Sequence, residues 1–570
     1  MDLGRYIILG ICALSAAVWG CPPQCKCKDN RIICQGYEIQ DFPSDIPATT
    51  GALYISNTSI SSLKPADIDA FSEALSIFVI KDSRINEVQP HMFDKTHNLK
   101  ALGLTGTELV SLPETLFQNL QLLSSLTLSN NKLNDLSSSL LTPLQALKTL
   151  DLSKNKLSSV PEKAFQGLIN LEQLVLQRNS IRELYMGTFY GFSKLKILSL
   201  QYNSLNALPG NVFEQLVNLE TLHLQNNVIT HLSAELFAHQ QKLQKLYLSN
   251  NRLSSLPRGI FLNLPNLRQI SLHDNQLLSL SAGTFGFMPL QDLWLYDNML
   301  TQLEENVFSN LTQVRLLVLS RNQISHVSPG AFNGLTEVEE ISLHTNRLVT
   351  LEEGLFQGLP KLVNISLENN MIEDLPGKFL DGAFNLFQLE LQNNSLPYLR
   401  QELLHSLTNI DNVVLAVNPW KCDHNILPLR NWLLKYPKKV KNITSLTCLS
   451  PSHLTGISII NLSDDISQTP TSGTTENKPL TPTDKQRRPH TPPPRRSTLA
   501  PANSTSSSKK GEDTSNDQRE VETMSNNLYI IIIAIVCTVV IVTIIICVAL
   551  WRRNKRGSRN LRHPNPNSVI

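Results

Sequence analysis

No cysteine occurs between Cys34 and Cys422, although the chain has 570 residues and nine cysteines. Redox enzymes and zinc proteins keep their thiols near their chemistry, so a cysteine-free block of this length argues against both. Charge is scarce as well. Only 17% of the residues are charged, and 50 Lys and Arg nearly cancel 48 Asp and Glu. A net charge of +2 gives no electrostatic reason to expect nucleic acid as a partner. Catalytic signatures are missing: there is no HExxH, no GxSxG and no glycine loop shaped for phosphate. The histidines recur at a regular interval without a carboxylate–histidine set at metal-ligand spacing, so no zinc, no other cofactor and no enzyme activity are expected.

What is present begins with the two ends. Arg5, the apolar stretch Tyr6 to Val18 and Gly20 before Cys21 give the charged, apolar, small-residue order of a secretory signal peptide, residues 1–20. Leu528 to Leu550 runs 23 residues without a charge. At about 1.5 Å per residue, such a helix crosses a hydrocarbon core of roughly 30 Å. Arg552, Arg553, Lys555, Arg556, Arg559 and Arg562 follow it, and a basic flank stays in the cytoplasm. The expected topology is a single-pass type I protein of the plasma membrane. Its N-terminus is extracellular, its membrane helix spans 528–550 and its tail is 551–570.

Between the ends, LxxLxLxxNxL recurs. Leu147, Leu150, Leu152, Asn155 and Leu157 are followed by Leu171, Leu174, Leu176, Asn179 and Ile181. The Asn slot falls at 131, 155, 179, 203, 227, 251, 275, 298, 322, 346, 370, 394 and 418, with Thr58, Ser83 and Thr107 upstream. Phe165, Phe189, Phe213, Phe237, Phe261 and Phe285 keep a second register, 24 residues apart. This pattern is that of the leucine-rich repeat, about sixteen times over. The fold class expected is α/β: a solenoid over residues 50–420 whose short parallel strands form one curved sheet. The leucines point into a core that only the next coil can cover. The slot Asn is suited to bonding buried backbone groups where the chain leaves the strand. Sixteen strands about 4.8 Å apart make an arc of roughly 70 Å, with the strands inside and the Phe spine outside. A broad curved surface without a deep pocket favours macromolecular ligands.

An open solenoid needs caps. Cys21-Pro-Pro-Gln-Cys25-Lys-Cys27, with Cys34, resembles the N-terminal cysteine cap of extracellular leucine-rich-repeat proteins, here residues 21–49. Spacing alone leaves three connectivities open; the resemblance implies Cys21–Cys27 and Cys25–Cys34. Asn418-Pro-Trp-Lys-Cys422, with Leu429, Trp432 and Cys448, resembles the matching C-terminal cap, residues 421–464. The usual cap has four cysteines, but position 424 is His and no cysteine follows 448 before the apolar run, so one bridge, Cys422–Cys448, is expected. Residues 320–346, 294–298 and 426–434 are similar to a cell-surface group within the family that shares this two-cysteine cap. The likeness covers roughly residues 1–460. It implies adhesion or recognition, including contact with matrix proteins.

Residues 465–527 read as a stalk. From Ser467 to Ser515, 26 of 49 residues are Ser, Thr or Pro, the composition of an O-glycosylated segment. Arg487, Arg488, Arg495 and Arg496 within it fit heparan sulfate contact, dibasic shedding, or simply solvated linker charge. Sequons stand at Asn57, Asn310, Asn364, Asn393, Asn442, Asn461 and Asn503, and Asn364 falls on a strand position facing the concave side. The outward strand positions bring His223, Tyr247, His273, Trp294, Tyr296 and His344 onto nearby strands, flanked by Asp274, Asp292, Asp297 and Glu340. Exposed aromatics gathered in this way are interface anchors or simply pack on one another. In the tail, Ser568-Val569-Ile570 fits a PDZ ligand, and Cys547 fits a palmitoylation site. The function expected is a receptor binding extracellular matrix or cell-surface proteins; the alternative is a non-catalytic scaffold subunit that stabilises a partner receptor or enzyme.

Overall fold

The computed structural model describes residues 21–465. The expected signal peptide, the stalk beyond Asp465, the membrane helix and the tail lie outside these residues, as does Asn503. Among the described residues, no helix is long and apolar enough to cross a membrane.

The chain starts with an antiparallel hairpin, Cys25–Lys28 against Arg31–Gln35, that brings Cys25 opposite Cys34. Cys21 is bonded to Cys27 and Cys25 to Cys34. Arg31–Gln35 then pairs in parallel with Ala52–Ser56, the strand of the first repeat. Each later repeat adds one parallel strand beside the last, through Ile77–Lys81, Ala101–Thr105 and onward to Asn412–Val414. The sheet has 18 strands, and 16 of them belong to repeats.

Every repeat strand begins six residues before its slot residue, as Thr149 does before Asn155 and Asp292 before Asn298. The middle residue of each three-residue strand is buried and its neighbours turn outward, as alternation along a strand requires. The slot does the bonding its chemistry allows. Asn155 Nδ2 donates to the carbonyls of Leu128 (2.9 Å) and Leu152 (3.0 Å), and its Oδ1 accepts from the Leu133 N–H (3.1 Å). Asn179 repeats this with Leu152, Leu176 and Leu157. Each slot side chain thus ties its own coil to the one before. Upstream, Thr58 and Ser83 bond through their hydroxyls, 2.9 Å apart.

The residue before each slot has a left-handed backbone in all sixteen repeats, from Asn57 (φ 54°) to Val417 (φ 57°). Its N–H reaches forward to the next coil, as Lys154 N–H does to the Gln177 carbonyl at 2.9 Å. Asn, Asp and Gly reach this conformation cheaply, whereas Lys154, Arg178, Tyr202, Arg321, Thr345 and Val417 must be held in it.

The phenylalanines form a buried column, with ring centroids 6.1 Å apart for Phe189–Phe213 and 5.7 Å for Phe261–Phe285. At the far end, helices Gln401–Leu407 and Leu427–Lys435 close the core over Trp420. Cys422 is bonded to Cys448. The buried Arg430 donates from Nη1 to the Leu462 carbonyl (2.8 Å) and pairs with Asp464, which anchors the last described residues to the cap.

Candidate functional site

The outward side chains of the strands fall into columns, because parallel strands in register place like positions side by side. One column, four residues before the slot, reads Ser199, His223, Tyr247, Ser271, Trp294, Val318 and Ser342. A second, two residues before the slot, contains Gln201, Gln225, Ser249, His273, Tyr296, Ser320, His344 and Glu368.

The aromatic cluster expected from sequence divides between these columns. His223 stacks on Tyr247 in the first, with centroids 4.7 Å apart and ring planes 3° apart. His273 stacks on Tyr296 in the second, at 4.4 Å and 7°. Trp294 joins neither stack: its strand neighbours are the small residues Ser271 and Val318. His344 stands alone, with Nδ1 3.0 Å from the Thr345 hydroxyl. Four rings pack on one another, while Trp294 remains half-buried without a ring partner among the described residues.

Burial sets the protonation of these groups. It lowers the His223 imidazole below its ordinary range, with the Lys245 charge adding to the effect. It also lowers His344, partly opposed by Glu390. Burial raises the Tyr247 and Tyr296 phenols, the latter also through Asp274 and Asp297. Tyr247 spends its hydroxyl on Gln269 Oε1, 2.9 Å away.

Among the flanking carboxylates, Asp297 is taken by Arg321 (2.8 Å) and Asp274 lies 2.6 Å from His273 Nδ1. Asp292 and Glu340 line an open recess of about 440 Å³ with Gln291, Arg315, Glu339 and Asn364. Arg315 is held by Glu339 through a two-pronged contact, 2.9 Å on each side. The strand sequon Asn364 thus sits at the edge of this recess. Of the other sequons, Asn57 and Asn393 occupy left-handed turn positions. Asn310 is half-buried and donates to the Phe285 carbonyl, while Asn442 and Asn461 are exposed in the C-terminal cap.

One feature of the face escaped the sequence. Glu368, two residues past its strand, meets Glu390 of the next coil, and Gln388 Nε2 donates to Glu390 at 2.6 Å. Burial, with the Glu390 charge beside it, pushes the Glu368 carboxyl up to about 7. The two stand in different slot-relative columns, Glu368 two residues before its slot and Glu390 four, so no single column of the sequence shows the pair.

The family model described as "Leucine rich repeat" matches in overlapping windows that together span residues 73–396, more than half of the chain. The chain belongs to the leucine-rich-repeat family. Among curated leucine-rich-repeat relatives, mouse (Mus musculus) nephrocan is 30% identical over 116 residues, 20% of this chain and 22% of nephrocan. Human (Homo sapiens) leucine-rich repeat-containing protein 15 is 49% identical over 43 residues, 8% of this chain and 7% of that protein. The chain therefore spans less than a quarter of the length of either. A solved leucine-rich-repeat protein of Leptospira interrogans superposes with a TM-score of 0.50 at 26% identity, covering 68% of this chain and 95% of that one.

Proposed function

We propose that this chain is a non-catalytic, single-pass cell-surface receptor whose solenoid recognises an extracellular matrix or cell-surface protein. The observation that carries the reading is Trp294, a large ring on the outward face between two small neighbours. It is flanked by the stacked His273–Tyr296 pair. Large, rigid aromatics in such positions dominate protein interfaces. The broad sheet offers area rather than a deep cleft, which suits a macromolecule better than a small substrate. The short identity to leucine-rich repeat-containing protein 15 and the shared two-cysteine cap support placing the chain in that cell-surface group. The apolar run 528–550 and its basic flank support the anchor.

Proximity labelling on living cells expressing the full chain names candidate ligands, and binding to purified full-length protein tests them. Trp294→Ala and Tyr296→Ala are each expected to weaken binding by about 2 kcal/mol or more, the range of interface hot spots, with melting unchanged. Wild-type affinity in both variants would move the binding surface off this face. Asn364→Gln is expected to leave affinity unchanged or raise it, because a glycan at the recess edge limits how far a ligand extends along the solenoid.

A further inference from the structure

Residues 274–346 hold eight acidic side chains and only two basic ones, Arg315 and Arg321. Both arginines are already engaged, by Glu339 and Asp297. Asp274, Asp292 and Glu340 are left on the outward face without a Lys or Arg partner among the described residues. The nearest lysine in the same column, Lys245, lies two strands before Asp292. The imbalance is local: residues 148–196 carry eight basic side chains against four acidic ones.

The carboxylates are placed where a cation could use them. Asp292 and Trp294 alternate along one strand, so both face outward, about 6.6 Å apart along it. A guanidinium or ammonium group that pairs with Asp292 can also lie against the indole face, a contact favoured when both are partly desolvated. Glu340 occupies the Asp292 column two strands on, about 9.6 Å away at ordinary strand spacing. Three residues of a polyproline-II segment, one full turn at about 3.1 Å per residue, cover about the same distance and bring the side chain back to the same face. The open recess between them is lined by Asp292, Glu340 and the Arg315–Glu339 pair, whose charges offset each other, so Asp292 and Glu340 remain its unpaired charges among the described residues.

Resting on the recognition role proposed above, we propose that this face takes a basic protein segment. One Arg or Lys seats on Asp292 and Trp294, and another, three residues along, on Glu340. The attraction is electrostatic, so it falls with added salt.

The test uses the purified full-length chain and a fluorescein-labelled peptide of four Arg-Gly-Ser units, with the Glu-Gly-Ser counterpart as control. Fluorescence anisotropy should show binding of the arginine peptide and none of the glutamate one. The double variant Asp292→Asn/Glu340→Gln should weaken binding at least tenfold, and Trp294→Ala at least fivefold. Glu352→Gln/Glu353→Gln removes the same charge from exposed positions off the face and should stay within twofold. The proposal is overturned if the double variant stays within twofold of wild type, or if the off-face variant loses as much. If a protein ligand found by labelling needs Trp294 but not Asp292 or Glu340, the recognition role stands and the basic partner does not.

Discussion

Val417 is the residue least suited to its place. A β-branched side chain in the left-handed region costs on the order of 1–2 kcal/mol relative to the right-handed one, a cost that Asn largely avoids. Val417 is 72% exposed, so little packing is lost on replacing it. Val417→Asn is expected to stabilise the protein by about 1 kcal/mol in denaturant melts. Glu368 gives the second residue-scale test. Its folded carboxyl titrates near 7, above the ordinary 4.5, because burial disfavours the charge and Glu390 adds to that. Between these values the folded state holds a proton that the unfolded chain has lost, so stability falls as pH rises from about 4.5 to 7. Glu368→Gln is therefore expected to raise the melting temperature at pH 8 and give little or no gain at pH 5. An equal effect at both pH values would show that Glu368 does not keep a raised pKa. Neither residue stood out in the sequence. Val417 sits in a slot-relative position whose left-handed geometry leaves no fixed residue type, and the Glu368–Glu390 pairing depends on register between coils.

The elements themselves were far more legible. The slot series gave sixteen coils because each Asn must bond carbonyls on two coils, and that requirement fixes both spacing and residue type. The stacks were less legible. Sequence placed His223, Tyr247, His273 and Tyr296 on the outward face, but only parallel register decides which ring meets which. The caps carry the element-scale prediction. Cys422 and Cys448 are buried beside Trp420 and join the turn after the last strand to the closing segment. Replacing the pair by alanine should destabilise the C-terminal coils by about 2–5 kcal/mol. Hydrogen exchange is expected to show protection lost first around residues 388–435. Uniform loss along the solenoid would instead mean that the bridge supports the molecule as a whole.

At the scale of the molecule, the anchor is testable without a ligand. A chain ending after Asn527 lacks the apolar run and is expected in the medium of expressing cells, while the full chain stays with membranes through a carbonate wash. Retention of the shortened chain would require a second anchor. The asparagine ladder also has a mechanical consequence. Each slot amide joins two neighbouring coils, so a pull on the two ends of the solenoid loads these bonds in series. The end coils are held on their outer side by the caps, so a coil yields once the cap beside it opens, and its loss makes its neighbour the new terminus. Stretched in an optical trap, the solenoid should lengthen in even steps of one 24-residue coil, about 80 Å of chain each. A protein built in this way would act as an extensible tether, giving way by degrees under load.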